Sequence, residues 1–321
     1  MLAALSAAVL FAAPNVAPAA AQDFPSKSIR MIVPFPPGGF PDIIGRMLAA
    51  KMSESLSQNV LVDNRGGANG NIGIDMVAKS PPDGYTIVQA QVSNLAVNPA
   101  LYKYMPYDAL KDLAPVGLVA TATQVMVTGA GSEIKSVADM IAIAKAKPSG
   151  LLFASSGNGS LGHLGTELIQ LQAGIKFTHI PYKGAAPAVI DVMGGRAHLF
   201  IAAMPTVIGH VRAGKLRALA VTSLTRAVEL PDVTPLNEAG FPGYETINWL
   251  AVMGRAGTPN AIIERLNAAL NKALSSDDLK AGFEKEGAAV WVSTPERLGQ
   301  VLAADLAKWR RVVMSAGIKM E

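Results

Sequence analysis

The sequence predicts an α/β protein of two lobes with a ligand cleft between them. Three observations carry that expectation. Short apolar stretches alternate with helical periodicity, which implies strand–helix–strand units with parallel strands. A long β-branched stretch, residues 113–127, interrupts the alternation and suits a strand that crosses from one lobe to the other. Each half also carries a glycine turn aimed at a helix start, Pro37-Gly38-Gly39 in the first and Gly157-Asn158-Gly159-Ser160 in the second.

The first unit begins with a strand over 30–33, breaks at Pro34-Phe35-Pro36-Pro37-Gly38-Gly39, and runs into a helix. Ile43, Ile44, Met47, Leu48, Met52 and Leu56 recur there at helical spacing. Glycines lack a Cβ, so a ligand can approach the backbone closely, and the amides of a helix start face it with the positive end of the helix dipole. Pro41 suits the first helical position and Asp42 the first turn. A strand over 60–64 follows, then the loop Arg65-Gly66-Gly67-Ala68-Asn69-Gly70, a helix over 72–78 and the turn Pro81-Pro82-Asp83-Gly84. A third strand over 85–88 ends in the polar residues Gln89, Gln91, Ser93 and Asn94, placed where open α/β sheets bind ligands.

Beyond the crossing stretch a second series starts. It predicts a helix over 136–146 stopped by Pro148 and Gly150, a strand over 151–154 and a helix from the second glycine turn to about 172. Strands over 177–182, 197–203 and 216–222 follow, with a helix near 186–193, and the last of these strands begins the return. A strand over 244–253 leads back, and two helices, 260–275 and 295–315, fill a tail whose economical role is to pack onto the first lobe. The expected lobes are therefore 22–123 with 244–321, and 124–243.

Composition narrows the function. The chain has 321 residues, no cysteine, a net charge of +4 and an apolar fraction of 50%. That length supports about two domains with hydrophobic cores. No basic run or basic–aromatic stripe points to nucleic acid. Without cysteine, disulfides, thiol chemistry and a lipoprotein anchor are excluded. Residues 1–21 are almost wholly small and apolar and end in Ala19-Ala20-Ala21, as in a secretory signal cleaved after Ala21, although no Lys or Arg precedes the apolar run. Pro14, Pro18 and the shortness of the run argue against a membrane anchor. Export is the expectation.

The second turn, Gly157-Asn158-Gly159-Ser160-Leu161-Gly162, spells the dinucleotide pattern GxGxxG between a strand and a helix. No carboxylate stands about twenty residues on to hold a ribose, so a nicotinamide cofactor is not expected. A simpler use is a helix start whose free amides and the hydroxyls of Ser155, Ser156 and Ser160 donate to a carboxylate. Ser160 and His163 share a helix, yet no nucleophile elbow surrounds any serine, and His163 suits packing or ligand orientation better than base catalysis. The four histidines show no paired metal-ligand spacing. Two such helix starts facing each other would grip an anion from both sides, and reversible binding needs no catalytic group.

These stretches resemble the receptors of tripartite tricarboxylate transporters, the Bug-type periplasmic binding proteins. Ile32-Val33-Pro34-Phe35-Pro36-Pro37-Gly38-Gly39 with Asp42 looks like their opening signature. Val62-Asp63-Asn64-Arg65 with Gly70-Asn71-Ile72-Gly73, Pro82-Asp83-Gly84-Tyr85-Thr86, Asn98-Pro99-Ala100-Leu101-Tyr102 and Ser156-Gly157-Asn158-Gly159-Ser160 with His163 continue it. Pro181-Tyr182-Lys183-Gly184, Gly214-Lys215-Leu216-Arg217 and Ala256-Gly257-Thr258-Pro259 complete a collinear match over about 24–318.

The resemblance implies a two-lobed periplasmic binding protein fold of type II-like form, two crossing segments, and a monomer in the periplasm. It would deliver a small carboxylate to a two-component membrane permease, with no enzyme activity, cofactor or metal. By position the contacts would come from Pro37, Gly38, Gly39, Phe40, Gln91, Ser93, Ser155, Gly157, Asn158, Gly159 and Ser160. Two departures bear on the ligand. Phe40-Pro41 stands where a small residue is common and places a ring near the cleft mouth. Ala202-Ala203-Met204 stands where amino-acid-binding members tend to carry an aspartate, which removes the partner for a ligand ammonium at Ala203. The expected ligand is an acid without an amine, either a di- or tricarboxylate or an aromatic acid. A ligand-presenting partner of a membrane signalling protein, or an enzyme on the same fold, are the alternatives.

Overall fold

The computed structural model describes residues 24–316; the expected secretory segment lies outside the described residues. The first series comprises β1 (Ile29–Val33), α1 (Phe40–Leu56), β2 (Val60–Asn64), α2 (Asn71–Ala78), β3 (Thr86–Gln91) and α3 (Asn98–Leu101). The long strand β4 (Leu113–Gly129) follows, then α4 (Val137–Ala146), β5 (Leu152–Ser155), α5 (Leu161–Ala173), β6 (Thr178–Pro181) and α6 (Ala185–Met193). The chain continues through β7 (Leu199–Ala203), α7 (Met204–Arg212) and β8 (Leu216–Val221), and β9 (Ile247–Arg255) leads to α8 (Asn260–Leu274). The tail adds α9 (Asp277–Lys285), β10 (Ala289–Val290) and α10 (Pro295–Ala316). No described helix is long and apolar enough to cross a membrane.

The strands run in the order β2-β1-β3-β9-β4-β7-β5-β6, with β8 and β10 also on β4. Pairs built by strand–helix–strand units (β1 with β2 and β3, β5 with β6 and β7) are parallel, as the alternation predicts. Everything that touches the crossing strands is antiparallel. β4 is the element common to both lobes. It pairs with β9 as far as Thr123 and with β7 from Gln124 onward.

Each lobe buries its sheet between two helical layers. In the first, α1 and α8 cover one face through Ile44, Leu48, Met52, Leu266 and Leu270. On the other face, α2 and α10 contribute Ile74, Val77, Leu298, Leu302 and Trp309. The indole nitrogen of Trp249 in β9 donates to Asp305 at 2.7 Å and pins α10 in place. Each such fully buried aliphatic side chain contributes about 1.5–3 kcal/mol by leaving water. The tail thus packs onto the first lobe, as its lack of chemistry suggested.

Five expectations need correction. Pro41 is the second residue of α1, after Phe40, with Gly39 as the N-cap. β3 does not stop at residue 88; Gln89 and Gln91 lie inside it, buried, and Gln89 donates to the carbonyl of Pro41 at 2.6 Å. α7 was not anticipated, because Pro205, Thr206, Val207 and Gly209 are poor helix formers. Packing overrides propensity there, with Met204, Val207 and Ile208 buried against the second-lobe sheet. The tail holds a third helix, α9, whose buried residues are only the i,i+4 pair Leu279 and Phe283, too short a pattern to register as periodic. β8 does not begin the return; it pairs with β4 on the second lobe, and β9 makes the return.

Candidate functional site

The first wall of the cleft is the turn between β1 and α1. Gly38 has φ +86°, a backbone that glycine alone adopts without strain. Its amide does not face the cleft. It donates to Asp42 Oδ2 at 3.0 Å, so the carboxylate closes the turn from inside. The other Asp42 oxygen accepts from Asn64 at 3.0 Å and pairs with Arg46 at 2.9 Å. Burial pushes the Asp42 carboxyl up, but Arg46, the Gly38 amide and Asn64 together outweigh it and hold the group below the usual carboxylate range. Prolines at 36, 37 and 41 have no N–H, and the amides of Gly39 and Phe40 donate to no described residue. They are the two donors this wall offers.

The second wall is the turn between β5 and α5. Gly157 and Gly159 have φ +137° and +75°, and Ser160 caps α5 by accepting from the His163 amide at 3.3 Å. The amides of Ser156, Leu161 and Gly162 donate to no described residue. Gly162 serves packing: a Cβ there would lie 2.3 Å from the carbonyl oxygen of Ile201, so α5 can press on β7 only without a side chain.

Behind this wall stand two neutral histidines. Their rings stack with centroids 4.1 Å apart and planes 8° apart. His163 Nδ1 accepts from the Gly159 amide at 3.2 Å, which puts its proton on Nε2. The Ser155 Oγ sits 3.1 Å from the Gly157 carbonyl oxygen and 2.6 Å from His179 Nε2, and it accepts from the Gly157 amide at 3.2 Å. Burial, and the neighbouring His179, lower His163 to about 4, and burial lowers His179 as well. The sequence offered no serine coupled to a base, and the structure contains one. It is placed to hold the turn and not to attack a ligand: Ser155 is fully buried and lines neither compartment of the cleft.

The floor is formed by the crossing strands. Gln91 of β3, Asn248 of β9 and Gln124 of β4 reach it, with Ala203 and Thr206 where β7 passes into α7. Gln91 donates to Ser93 Oγ at 2.9 Å and accepts from Asn248 Nδ2 at 3.3 Å. Phe35, Phe40 and Phe200 supply apolar surface. Phe40 is only 2% exposed and belongs to the first-lobe core, so its ring backs the cavity and does not guard the mouth.

The space so enclosed is small, about 50 Å³ for the centre of a water-sized sphere. It meets a larger outer groove, about 880 Å³ by the same measure, at Phe35, Pro36, Ser156 and Gly184. The lobes touch at the rims: a Cβ on Gly184 would lie 3.1 Å from Pro36, and one on Gly38 would lie 3.5 Å from Ala186.

The expected residues therefore fall into three groups. Gly39, Phe40, Gln91, Ser160 and Ala203 line the inner cavity, and Pro37, Gly157 and Asn158 line the outer groove. Gly38, Ser93, Ser155 and Gly159 line neither and fasten the turns and the floor from behind. Sequence reasoning missed Gln124, Asn248 and Thr206. The signal available was a single amide letter in each of two long, mostly apolar strands. Among the described residues no group of His, Asp and Glu could hold a metal ion.

The profile described as "Tripartite tricarboxylate transporter family receptor" matches residues 44–318. BugT of Bordetella pertussis is 42% identical over 306 residues, 95% of this chain and 94% of that protein. A solved R. palustris protein with adipate superposes with a TM-score of 0.90 at 37% identity, covering 92% of this chain and 99% of that one. MatC from Rhodopseudomonas palustris with bound malate gives a TM-score of 0.86 at 26% identity, covering 90% of this chain and all of that one. The fold is the two-lobed fold of periplasmic binding proteins, and the family consists of solute receptors, not enzymes. The chain belongs to the tripartite tricarboxylate transporter receptor family.

Proposed function

We propose that this receptor captures a small, amine-free organic carboxylate between its lobes in the periplasm and presents it, as a monomer, to a two-component membrane permease. The observation that carries the reading is the pair of facing helix starts, with the unused amides of Gly39 and Phe40 opposite those of Ser156, Leu161 and Gly162. Hydrogen bonds from backbone amides to an ionised acceptor are short and strong, and helix dipoles add to them. On this reading Gly39, Phe40 and Ser160 hold the acid, Gln91 and Ala203 bound its other end, and Pro37, Gly157 and Asn158 guard the entry. Gly38, Ser93, Ser155 and Gly159 keep the turns in shape.

Ala203 and its neighbours leave the cavity without an acidic side chain, so a ligand ammonium would have no counter-charge. This supports an acid without an amine. The lobe division proposed is 22–123 with 244–321, against 124–243. Its support is the change of β4's partner between Thr123 and Gln124. Entry of anything larger than a few waters requires the lobes to part, which makes closure on the ligand the working motion.

The test is thermal denaturation against a panel of citrate, C4–C6 dicarboxylates, aromatic acids and acidic amino acids. A ligand at a hundred times its dissociation constant stabilises the folded state by about 2.7 kcal/mol. A rise in midpoint with an amine-free acid is the expected result; a rise only with aspartate or glutamate overturns the assignment.

A further inference from the structure

The floor of the cleft is polar but uncharged. No Lys, Arg, His, Asp or Glu lines the inner cavity among the described residues. Asn248 is 6% exposed, and its Oδ1 has no partner although it is shut off from solvent. Its orientation follows from its neighbours: Gln91 gives its N–H to Ser93, so its oxygen faces Asn248 and takes the Nδ2 proton. Across the floor, Gln124 Oε1 accepts from Thr246 Oγ1 at 3.2 Å, and its Nε2 donates to no described residue. One acceptor and one donor are thus left over on adjacent crossing strands.

Building on the carboxylate reading above, we propose that the far end of the ligand carries a neutral group that both donates and accepts, a hydroxyl or carboxamide, received by Asn248 Oδ1 and Gln124 Nε2. A second carboxylate fits worse for two reasons. It can only accept, so Asn248 Oδ1 would stay unpaired and would face a negative oxygen. It would also bring a second buried charge to a cavity with no cation, where desolvation exceeds what neutral donors return. A methyl group fits worse too, because it leaves both amides unsatisfied. A site built to bond a hydroxyl rejects the analogue that lacks it far more strongly than an apolar pocket rejects a methylene. The start of α7 is the competing donor, but Pro205 removes one of its amides.

The experiment is calorimetric titration of the purified protein with matched acids on three frames. Each frame is offered as the plain acid, the ω-hydroxy acid and the diacid: butyrate, 4-hydroxybutyrate and succinate; hexanoate, 6-hydroxyhexanoate and adipate; benzoate, 4-hydroxybenzoate and terephthalate. On whichever frame binds, the hydroxy acid is expected to bind at least tenfold more tightly than both partners. In Asn248→Leu that ratio over the plain acid falls toward one, whatever the absolute affinity. A diacid that binds as tightly as the hydroxy acid overturns the neutral floor, leaves the carboxylate reading intact and assigns the far end to α7. A hydroxy-acid advantage that survives Asn248→Leu overturns the role of Asn248. Binding by none of the nine overturns this inference, while the carboxylate reading falls only if the wider panel above also gives no rise in midpoint.

Discussion

The two walls of the cleft share one shape and are supported by opposite chemistry. Both are glycine turns that aim free amides at the same space. The first is braced from behind by a carboxylate, Asp42, which ties Gly38, Asn64 and Arg46 together. The second is braced by neutral groups, the stacked pair His163 and His179 with Ser155. The glycines differ as well: Gly39 of the first wall is an N-cap with open space around it, whereas Gly162 of the second lets a helix lie against a strand. A shared motif shape therefore does not imply a shared support, and the two walls should fail under different insults.

The sharpest separation comes from adding one methyl to each. Gly162→Ala puts a Cβ 2.3 Å from the Ile201 carbonyl, and the backbone atoms there cannot step aside. We expect a loss exceeding about 3 kcal/mol, enough to unfold the second lobe or prevent its expression. Gly39→Ala meets nothing nearer than Pro41 Cδ at 3.8 Å. It should cost only the loss of a favourable cap residue, about 0.5–1 kcal/mol. Urea denaturation of both variants measures the contrast, and equal losses would remove the asymmetry.

The second separation is by pH. His163 binds its proton at about 4 in the folded protein, against an unfolded value near 6.5. Between those limits the unfolded chain holds more protons, so stability is full above pH 6.5 and falls as pH drops toward 4. The loss is on the order of 3 kcal/mol from this histidine, with His179 adding in the same direction. Protonation would turn an acceptor into a donor facing the Gly159 amide and place a cation on the neighbouring ring. Glu167, 3.6 Å from His163 and pushed up by burial, with Lys176 beyond it, pulls the other way near pH 4.5. His163→Gln keeps an acceptor for Gly159 and should flatten the slope between pH 6.5 and 4.

Asp42 behaves in the reverse manner: its folded value lies below 3.8, so its contribution persists through that window and disappears only at lower pH. Asp42→Asn should lower stability by about 2 kcal/mol with no change in the slope. A slope altered by Asp42→Asn and untouched by His163→Gln would reverse the comparison.

The same contrast explains what the sequence could reveal. Both turns, the long crossing strand and most helices are local signals: glycines, caps and periodicity within a window of about fifteen residues. The back-bracing role of Ser155 is not local, because it depends on His179 of β6 coming to lie beside β5, whereas Gly159 meets His163 only four residues on, through a side chain that bends back over its own turn. Asn248 and Gln124 were illegible for a related reason. Each is the one amide side chain in a largely buried strand, and only the pairing of β3, β9 and β4 brings them to the same floor. α7 escaped because packing, not propensity, makes it a helix.

The central claim is that backbone amides from both walls hold one carboxylate. Amide proton shifts in a ¹⁵N spectrum, followed as the best acid of the panel is added, test it most directly. The account predicts large downfield shifts for Gly39 and Phe40 on one wall and for Leu161 and Gly162 on the other, saturating together. Saturable binding that moves the amides of one wall alone, or of neither, would contradict it.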